Sequence, residues 1–367
     1  MILLTPGPLT TARETREAML SDWGSRDGAF IALTAQLRRR LLALVHGEQT
    51  HVCVPIQGSG TYVIEAAIGS LIGPDDKLLV LENGVYGARA GAIAERLGRQ
   101  VSYMHWPQSA PVDPETVRAA LRADPSVTHV LLVHCETTTG ILNPLQAVAD
   151  AVAAEGRALI VDAMSSFGAF DIDLRRTPST AILASSNKCL EGPPGIAFAI
   201  VARQALEAAG TAASVSLDLK AQWQGFEKNG QWRFTPPVQV VSGTVKALEL
   251  LEAEGGPPAR LARYRDNFAV LLAGMKRLGF SLYLDETVQS PIIATFHMPK
   301  AWGLTFAAFY DALAACGFLI YPGKLTGEET FRIGCIGAIG PRDFESLLAA
   351  ITSILDAKAP GAGPGNP

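Results

Sequence analysis

Two side chains near the middle of the chain could hold a cofactor between them. Asp162 ends the apolar run ALIVDA, and Lys188 stands among small polar residues in SSNKC. A carboxylate at a strand end and a lysine one or two strands later can face each other across a planar, electron-withdrawing ring. Pyridoxal phosphate requires such a pair, because an anion keeps its ring nitrogen protonated and an amine binds it as a Schiff base. A loop cap and a solvated lysine are the alternative interpretation.

A loop that could bind a phosphate precedes this pair. Residues 57–61, QGSGT, join an apolar strand to a helix, so Ser59, Gly60 and Thr61 offer backbone N–H groups and hydroxyls to an anion. The loop lacks the lysine of a P-loop and the spaced glycines of a dinucleotide-binding loop. A small-residue turn without a ligand is the alternative. With the acid and the lysine downstream, a cofactor monophosphate is the better interpretation.

Four further residues could contact a ring or a substrate. Tyr86, predicted to lie in a turn after a strand, could stack on a planar ring or simply pack. Thr137, in ETTTG, follows a buried strand at the edge where α/β proteins bind ligands, although a local turn is also possible. Arg332, flanked by apolar residues in TFRIG, requires an anionic partner, either a ligand or an internal carboxylate. Arg26 is a second candidate anion ligand, with a surface role as its alternative.

The elements that must position these groups alternate along the chain. From residue 51 to residue 202, β-branched apolar runs alternate with amphipathic helices. This pattern is typical of a mostly parallel sheet covered by helices on both faces, the α/β class. Asp113-Pro114 and Asn143-Pro144 each predict a helix start, with the first residue as N-cap and the proline behind it.

The later part of the chain predicts a second unit. Residues 210–237 are expected to be irregular, and the helices and strands that follow suggest a smaller α+β domain. We predict a large cofactor-binding domain over residues 21–255 and the small domain over residues 256–356. An N-terminal segment, 1–20, is expected to pack with the small domain, and the tail, 357–367, to be disordered because it has nothing to bury.

Composition excludes several classes of function. The chain has 367 residues, a net charge of −4 and a pI near 5.9, which argues against nucleic acid or an anionic membrane as a partner. Its five cysteines are scattered without metal spacing, so we expect no metal site and no disulfide. No apolar run is long enough to cross a bilayer, and no signal peptide is recognisable. These features predict a soluble, cytoplasmic protein.

The order of the motifs resembles one family. LLTPGP, SGT, VYG, ETTTG, VDAMSS, SNKC, RFTPP and FRIGCIG follow one another as in the class V aminotransferases. The resemblance covers the chain except its tail and implies the fold-type-I architecture with pyridoxal 5'-phosphate. It implies Lys188 as the Schiff-base lysine, Asp162 at the ring nitrogen, Ser59, Gly60 and Thr61 at the phosphate, Tyr86 stacked on the ring, and Thr137 near its phenolic oxygen.

The same resemblance implies a substrate site and a partner subunit. Arg332 matches the arginine that binds the substrate's acid group. Thr235, in WRFTPP, matches a region that reaches the phosphate of the neighbouring subunit. The resemblance therefore implies a homodimer with active sites at the subunit interface.

Within the class, SSNKCLEGPPG, DWGSRD and NGVYGAR are similar to the 2-aminoethylphosphonate–pyruvate aminotransferases. Cysteine desulfurases of this class have a histidine where Asn187 precedes the lysine, so Asn187 and Cys189 carry the subfamily assignment. The similarity implies amino transfer from 2-aminoethylphosphonate to pyruvate in phosphonate degradation, with Arg26 as a possible second ligand of the phosphonate. An alanine–glyoxylate or serine–pyruvate aminotransferase is the alternative, and a non-catalytic protein on this fold is a remote one.

Overall fold

The computed structural model describes residues 1–299, 303–323, 325 and 329–357. Apart from its first residue, the predicted disordered tail lies outside the described residues. Among the helices of these ranges, none is long and apolar enough to cross a membrane.

Helices and strands alternate through most of the described chain. The strands are β1 (Ile2–Leu3), β2 (His51–Gln57), β3 (Lys77–Glu82), β4 (Gln100–His105), β5 (His129–Val133), β6 (Cys135–Glu136), β7 (Ile141–Leu142), β8 (Ala158–Asp162), β9 (Ala181–Ser185), β10 (Ile196–Ala202), β11 (Ile293–His297), β12 (Phe318–Leu319), β13 (Tyr321–Pro322) and β14 (Thr330–Gly334). The α-helices are α1 (Arg13–Glu17), α2 (Gly28–Ala43), α3 (Gly60–Leu71), α4 (Val85–Arg96), α5 (Pro114–Ala123), α6 (Leu145–Ala154), α7 (Arg203–Ala208), α8 (Leu219–Asn229), α9 (Val238–Glu254), α10 (Gly256–Arg277), α11 (Phe306–Ala315) and α12 (Pro341–Asp356).

A seven-stranded sheet forms the centre of the larger part of the chain. Its strand order is β2-β10-β9-β8-β5-β3-β4. The five strands β9, β8, β5, β3 and β4 run parallel to one another. Strand β10 is antiparallel to both of its neighbours, β9 and β2. The predicted, mostly parallel α/β sheet is therefore confirmed. Because β8 and β9 are parallel neighbours, the loops that follow them leave the same edge of the sheet.

Both faces of this sheet are covered, which explains why its strands are apolar throughout. Successive residues of β3 enter different cores: Leu79 and Leu81 pack with α2, α5, α6 and α9, whereas Leu78 and Val80 pack with α3, α4, α7 and α8. Strands buried on both faces cannot show the alternation of a one-sided sheet.

A smaller antiparallel sheet, β11-β14-β13, packs with α10, α11 and α12 around a separate apolar core. The N-terminal strand joins this part of the molecule, because β1 pairs in parallel with β12. Leu4 lies in the same core, and the chain then runs toward the large sheet.

Three local expectations were wrong. The segment predicted to be irregular contains α8, with Asp218 as its N-cap and with Leu219, Trp223 and Phe226 buried at helical spacing. Asn143 does not cap α6; its side chain donates to the carbonyl of Val133, 2.8 Å away, in a buried amide cluster. By contrast, the Asp113 side chain does cap α5 as predicted.

Tyr86 lies in the first turn of α4 and not in a turn before it, so its predicted position was wrong. The helix begins at Val85 because the buried carboxylate of Glu136 accepts from the backbone N–H of Tyr86, 3.1 Å away. A carboxylate at a helix N-terminus satisfies N–H groups that have no partner within the helix.

Candidate active site

Asp162 and Lys188 line one cavity at the carboxyl ends of two adjacent parallel strands. Asp162 is the last residue of β8, and Lys188 lies three residues beyond the end of β9. The cavity has a volume of about 160 Å³. It also contains Ser59, Gly60, Thr61, Tyr86, Arg89, Thr137 and Asn187.

Burial changes the acid–base behaviour of both principal groups. Asp162 is only 6% exposed, and burial raises its pKa to about 6. Its Oδ1 accepts from the backbone N–H of Met164 at 2.9 Å, which opposes that rise in pKa. Burial lowers the pKa of Lys188, so its neutral amine forms more readily than that of a solvated lysine. The site thus pairs an acid with an amine that can act as a base or a nucleophile.

The N-terminus of α3 forms the anion-binding wall of the cavity. Ser59 is the N-cap residue, yet its side chain makes no capping hydrogen bond. At Gly60 the backbone passes so close to Met164 that a Cβ would lie 2.7 Å from the Met164 sulfur. A side chain at this position would have to displace Met164, and the start of the helix, with N–H groups that have no partner within it, lies at the cavity wall. These groups and the Ser59 and Thr61 hydroxyls suit a phosphate.

Arg332 reaches the edge of the cavity from the small sheet. Its Nη1 donates to the Thr137 carbonyl and its Nε to the Pro322 carbonyl, both at 3.0 Å, and it contacts the Tyr86 side chain. The side chain is 2% exposed, and within the described ranges it forms no ion pair with a carboxylate. A buried guanidinium bonded mainly to neutral acceptors retains its attraction for an anion, as a substrate-binding arginine requires.

Arg26 and Thr235 are not brought to this cavity. Both are exposed and line a separate surface pocket with Trp232 and Phe234. Thr235 also lines a groove that continues to Gly58, at the start of the anion-binding loop. Seven of the ten predicted residues therefore share the cavity, Arg332 borders it, and two lie on the nearby surface.

Arg89 was not predicted as a site residue. Its guanidinium lies 5.1 Å from the centre of the Tyr86 ring, and the residue lines the cavity. The available signal was its position three residues after Tyr86, which places both side chains on one face of a helix. The expected turn at Tyr86 concealed that relation.

Cys189, next to the lysine, is a packing residue in this structure. Its thiol donates to the Ser165 carbonyl at 3.1 Å, and burial raises its pKa well above the ordinary value. A protonated, buried thiol is a poor nucleophile. Cys189 therefore supports the loop that carries Lys188 (the lysine loop) without taking part in chemistry. Asn187, by contrast, lines the cavity.

The N-terminal segment forms a wall beside the lysine. At Gly7, where φ is +127°, a Cβ would lie 2.7 Å from Cδ of Lys188 and 2.8 Å from the carbonyl oxygen of Asn187. The absence of a side chain at Gly7 thus allows Lys188 to extend past it. From the sequence, this segment was expected to pack with the small domain, and no role in the site was predicted for it.

Replacing Gly7 by alanine is expected to lower kcat roughly 10- to 100-fold, because a displacement of about 1 Å at a reacting group has effects of this size. The unfavourable φ should also destabilise the fold by about 1–3 kcal/mol. Steady-state kinetics and thermal unfolding measure the two effects. Gly28→Ala is the matched control, since a Cβ there meets nothing within 4 Å. An unchanged kcat in Gly7→Ala would contradict the assigned contact.

Comparison with known proteins identifies the family. The profile described as Aminotransferase class-V matches residues 15–312, and the chain belongs to this family. The relative from Burkholderia lata named 2-aminoethylphosphonate–pyruvate transaminase 2 is 52% identical over 97% of this chain and 95% of its own length. A relative of the same name from Polaromonas sp. is 51% identical over 96% of this chain and 95% of its own length.

The fold agrees with solved structures of the class. Alanine–glyoxylate aminotransferase from Nostoc sp. superposes with a TM-score of 0.90 at 25% identity, covering 96% of this chain and 95% of that one. The fold-type-I architecture is thereby confirmed, and pyridoxal phosphate is the cofactor. The cavity fits this cofactor, because it joins an anion-binding helix start, a buried carboxylate and a buried lysine in one space.

The pKa of Asp162 predicts a pH dependence of cofactor binding. Below about pH 6 the carboxyl of the cofactor-free protein is protonated and cannot balance a protonated ring nitrogen. The affinity for pyridoxal phosphate should therefore fall as the pH drops through 6. Equilibrium titration at several pH values measures it. The Asp162→Asn variant should bind more weakly and lose this step; if it keeps the step, another group causes it.

The stability of the cofactor-free protein should change in the opposite direction. The pKa of Asp162 is raised from 3.8 to about 6, so the folded state binds this proton more tightly than the unfolded state. Its contribution to stability is complete below pH 3.8 and is lost as the pH rises through 6. The Tm of the wild type, measured relative to that of Asp162→Asn, should therefore fall as the pH rises from 3.8 through 6.

Proposed function

We propose that the protein transfers the amino group of 2-aminoethylphosphonate to pyruvate, giving phosphonoacetaldehyde and L-alanine. The observation that carries the proposal is Arg332, a buried cation at the edge of a cavity that already contains the lysine, the acid and the anion-binding helix start. Relatives of that name are about half identical to this chain along nearly its whole length, which supports the choice of substrates.

Lys188 and Asp162 carry the chemistry in this proposal. Pyridoxal phosphate, when bound, supplies an electron sink that acidifies the proton on the amine-bearing carbon of the donor. Lys188 would hold the cofactor covalently and, when its amine is free, would accept that proton. Its lowered pKa keeps the freed amine neutral and ready to do so. Asp162 provides the anion at the ring nitrogen.

The remaining residues bind and orient. Ser59, Gly60 and Thr61 donate hydrogen bonds to the cofactor phosphate from the start of α3. Tyr86 would stack on the ring of the cofactor and Thr137 would contact it, and the Thr137 carbonyl accepts a hydrogen bond from Arg332. Arg332 binds the phosphonate of the donor and then the carboxylate of pyruvate, because its planar fork suits both groups.

A panel of donors and acceptors tests the proposal. Purified enzyme should show its highest kcat/KM with 2-aminoethylphosphonate and pyruvate. Alanine and serine as donors, each with glyoxylate and with pyruvate, provide the comparison. Faster turnover of alanine with glyoxylate would replace the proposed function by that of an alanine–glyoxylate aminotransferase.

We also propose that the protein acts as a homodimer. Tyr62 and Phe234, each 53% exposed, and Val215, 74% exposed, are large apolar side chains on the described surface near the anion-binding loop. Large exposed apolar groups that cluster beside a functional loop are typical of protein interfaces. In such a dimer Thr235 and Arg26 would serve the cavity of the neighbouring subunit, which explains why they lie outside their own.

Replacing Phe234 by glutamate is expected to dissociate the dimer and to weaken cofactor binding about tenfold or more, because a charge at an apolar interface opposes association. Analytical ultracentrifugation and cofactor titration measure these effects. The control is Ser353→Glu, which adds the same charge to the exposed face of α12. A wild-type protein that sediments as a monomer at micromolar concentration would refute the proposed assembly.

A further inference from the structure

The loop that carries Lys188 contains a buried carboxylate that the proposed chemistry does not use. Glu191 is 6% exposed and has a φ of +58°, a left-handed conformation that only one other non-glycine residue of the described chain adopts. Its backbone N–H donates to the Lys188 carbonyl at 2.8 Å, which closes a tight turn directly after the lysine. A strained, buried acid at such a position persists only where its surroundings hold it.

Helix α10 supplies the groups that hold this turn. Oε1 of Glu191 accepts from the Tyr264 hydroxyl at 2.6 Å and from Nη2 of Arg263 at 2.8 Å, and Nη1 of Arg260 lies 3.6 Å away. The same Nη1 donates to the Cys189 carbonyl at 2.7 Å. Residues of α10 therefore donate hydrogen bonds both to the backbone of the lysine loop, at Cys189, and to the carboxylate of Glu191.

The charges in this cluster balance. Glu254 accepts from Nε of Arg260 at 2.6 Å and from Nε of Arg263 at 2.8 Å, so two carboxylates face two guanidinium groups. Burial, and then the neighbouring Glu191, raise the pKa of Tyr264 well above its ordinary value, so its hydroxyl remains a donor. Removal of either carboxylate would leave two guanidinium groups facing a single carboxylate, with one positive charge uncompensated.

The cluster also connects the lysine loop with the small sheet. Arg263 donates to the carbonyls of Gly337 and Ile339, in the loop that follows β14. That strand carries Arg332. The loop that carries Lys188 and the strand that carries Arg332 are therefore both connected to this cluster. None of the cluster residues lines the cavity, so any effect on chemistry must pass through the loop.

We propose that Glu191 is a positioning residue that, held by Tyr264, Arg260 and Arg263, fixes the direction in which Lys188 enters the cavity. The proposal rests on the proposed role of Lys188 and not on the identity of the donor. Glu254 belongs to the same cluster but has no contact with the lysine loop among the described hydrogen bonds and ion pairs, which makes it a matched control.

The test compares the holoenzymes of Glu191→Gln, Tyr264→Phe and Glu254→Gln. Glu191→Gln should lower kcat roughly 10- to 100-fold, with KM for donor and acceptor within about twofold, because a misplaced lysine slows chemistry and not binding. The absorbance of the cofactor bound to Lys188 changes with pH as the linkage between them gains or loses a proton. The midpoint of this change should move down by roughly half a pH unit in Glu191→Gln, because an uncompensated cation disfavours protonation nearby. Tyr264→Phe should lower kcat about tenfold without altering charge.

Glu254→Gln should lower the Tm of the cofactor-free protein and leave kcat near its wild-type value, whereas its absorbance midpoint should shift much as in Glu191→Gln, because both variants leave one positive charge uncompensated. Equal losses of kcat in Glu254→Gln and Glu191→Gln would show that the cluster acts only through general stability, and would overturn the proposal. An unchanged kcat in a folded, cofactor-loaded Glu191→Gln would overturn it as well. If Glu191→Gln does not fold, Tyr264→Phe decides by the same criterion. A different best donor in the substrate panel would leave these outcomes unaffected, because the absorbance reports on Lys188 alone.

Discussion

Replacement of Lys188 by alanine should lower kcat by at least about 10⁴-fold, since one side chain both holds the cofactor and moves the substrate proton. The cavity contains no second lysine among its lining residues, so no neighbouring amine can take over. Stopped-flow absorbance after mixing with the amino donor measures the loss. The visible absorbance of the lysine-bound cofactor should disappear in the same variant.

Two controls separate this effect from misfolding. Lys276→Ala removes a lysine whose side chain is 53% exposed and paired with Glu286, and it should behave as wild type. A small primary amine added to Lys188→Ala should restore part of the proton transfer, because the cavity then contains a mobile base. Persistence of the absorbance and of activity in Lys188→Ala would place the cofactor linkage elsewhere and would reopen a non-catalytic role for the described cavity.

Arg332→Lys should lower kcat/KM for 2-aminoethylphosphonate and for pyruvate by about 10²-fold. Lysine keeps the charge but cannot form two parallel hydrogen bonds with a phosphonate or carboxylate. Loss of a buried, hydrogen-bonded contact between charges costs about 2–5 kcal/mol, which corresponds to a decrease in kcat/KM of at least about tenfold. Steady-state kinetics with both substrates measure it.

A donor without an acid group distinguishes binding from structural damage. Propylamine cannot use Arg332, so its slow reaction should proceed equally in wild type and Arg332→Lys. An equal loss with propylamine would show that Arg332 serves mainly to hold the Thr137 and Pro322 carbonyls in place. Arg175→Lys, whose side chain is 65% exposed in a surface ion pair, provides the matched substitution.

Features fixed by neighbouring residues were predictable from the sequence. The helix start at Asp113 follows from a local cap, and the strand ending at Asp162 follows from a continuous apolar run. The cavity could be anticipated because parallel strands present their carboxyl ends at one edge. The helix α8 was missed although Trp223 and Phe226 have helical spacing, because abundant aromatic and polar residues around them obscured the period.

Contacts between distant segments were not predictable in this way. Nothing in the sequence around Gly7 shows that it adjoins Lys188, and nothing near Glu191 shows that Tyr264 bonds to it. Each contact depends on how segments far apart in the sequence pack together, and residue types alone do not encode that packing. The supporting residues of the site were therefore harder to find than the lysine and the acid.

The pairing of β1 with β12 constrains the order in which the site can be completed during synthesis. Ile2 is synthesised long before its partner Phe318. Chains begin to fold in order of synthesis, yet β1 cannot pair until β12 has been made. A nascent chain that stops before β12 would lack both the small sheet and the ordered segment beside Lys188. Amino transfer should therefore begin only after β12 and the strands of the small sheet have been synthesised.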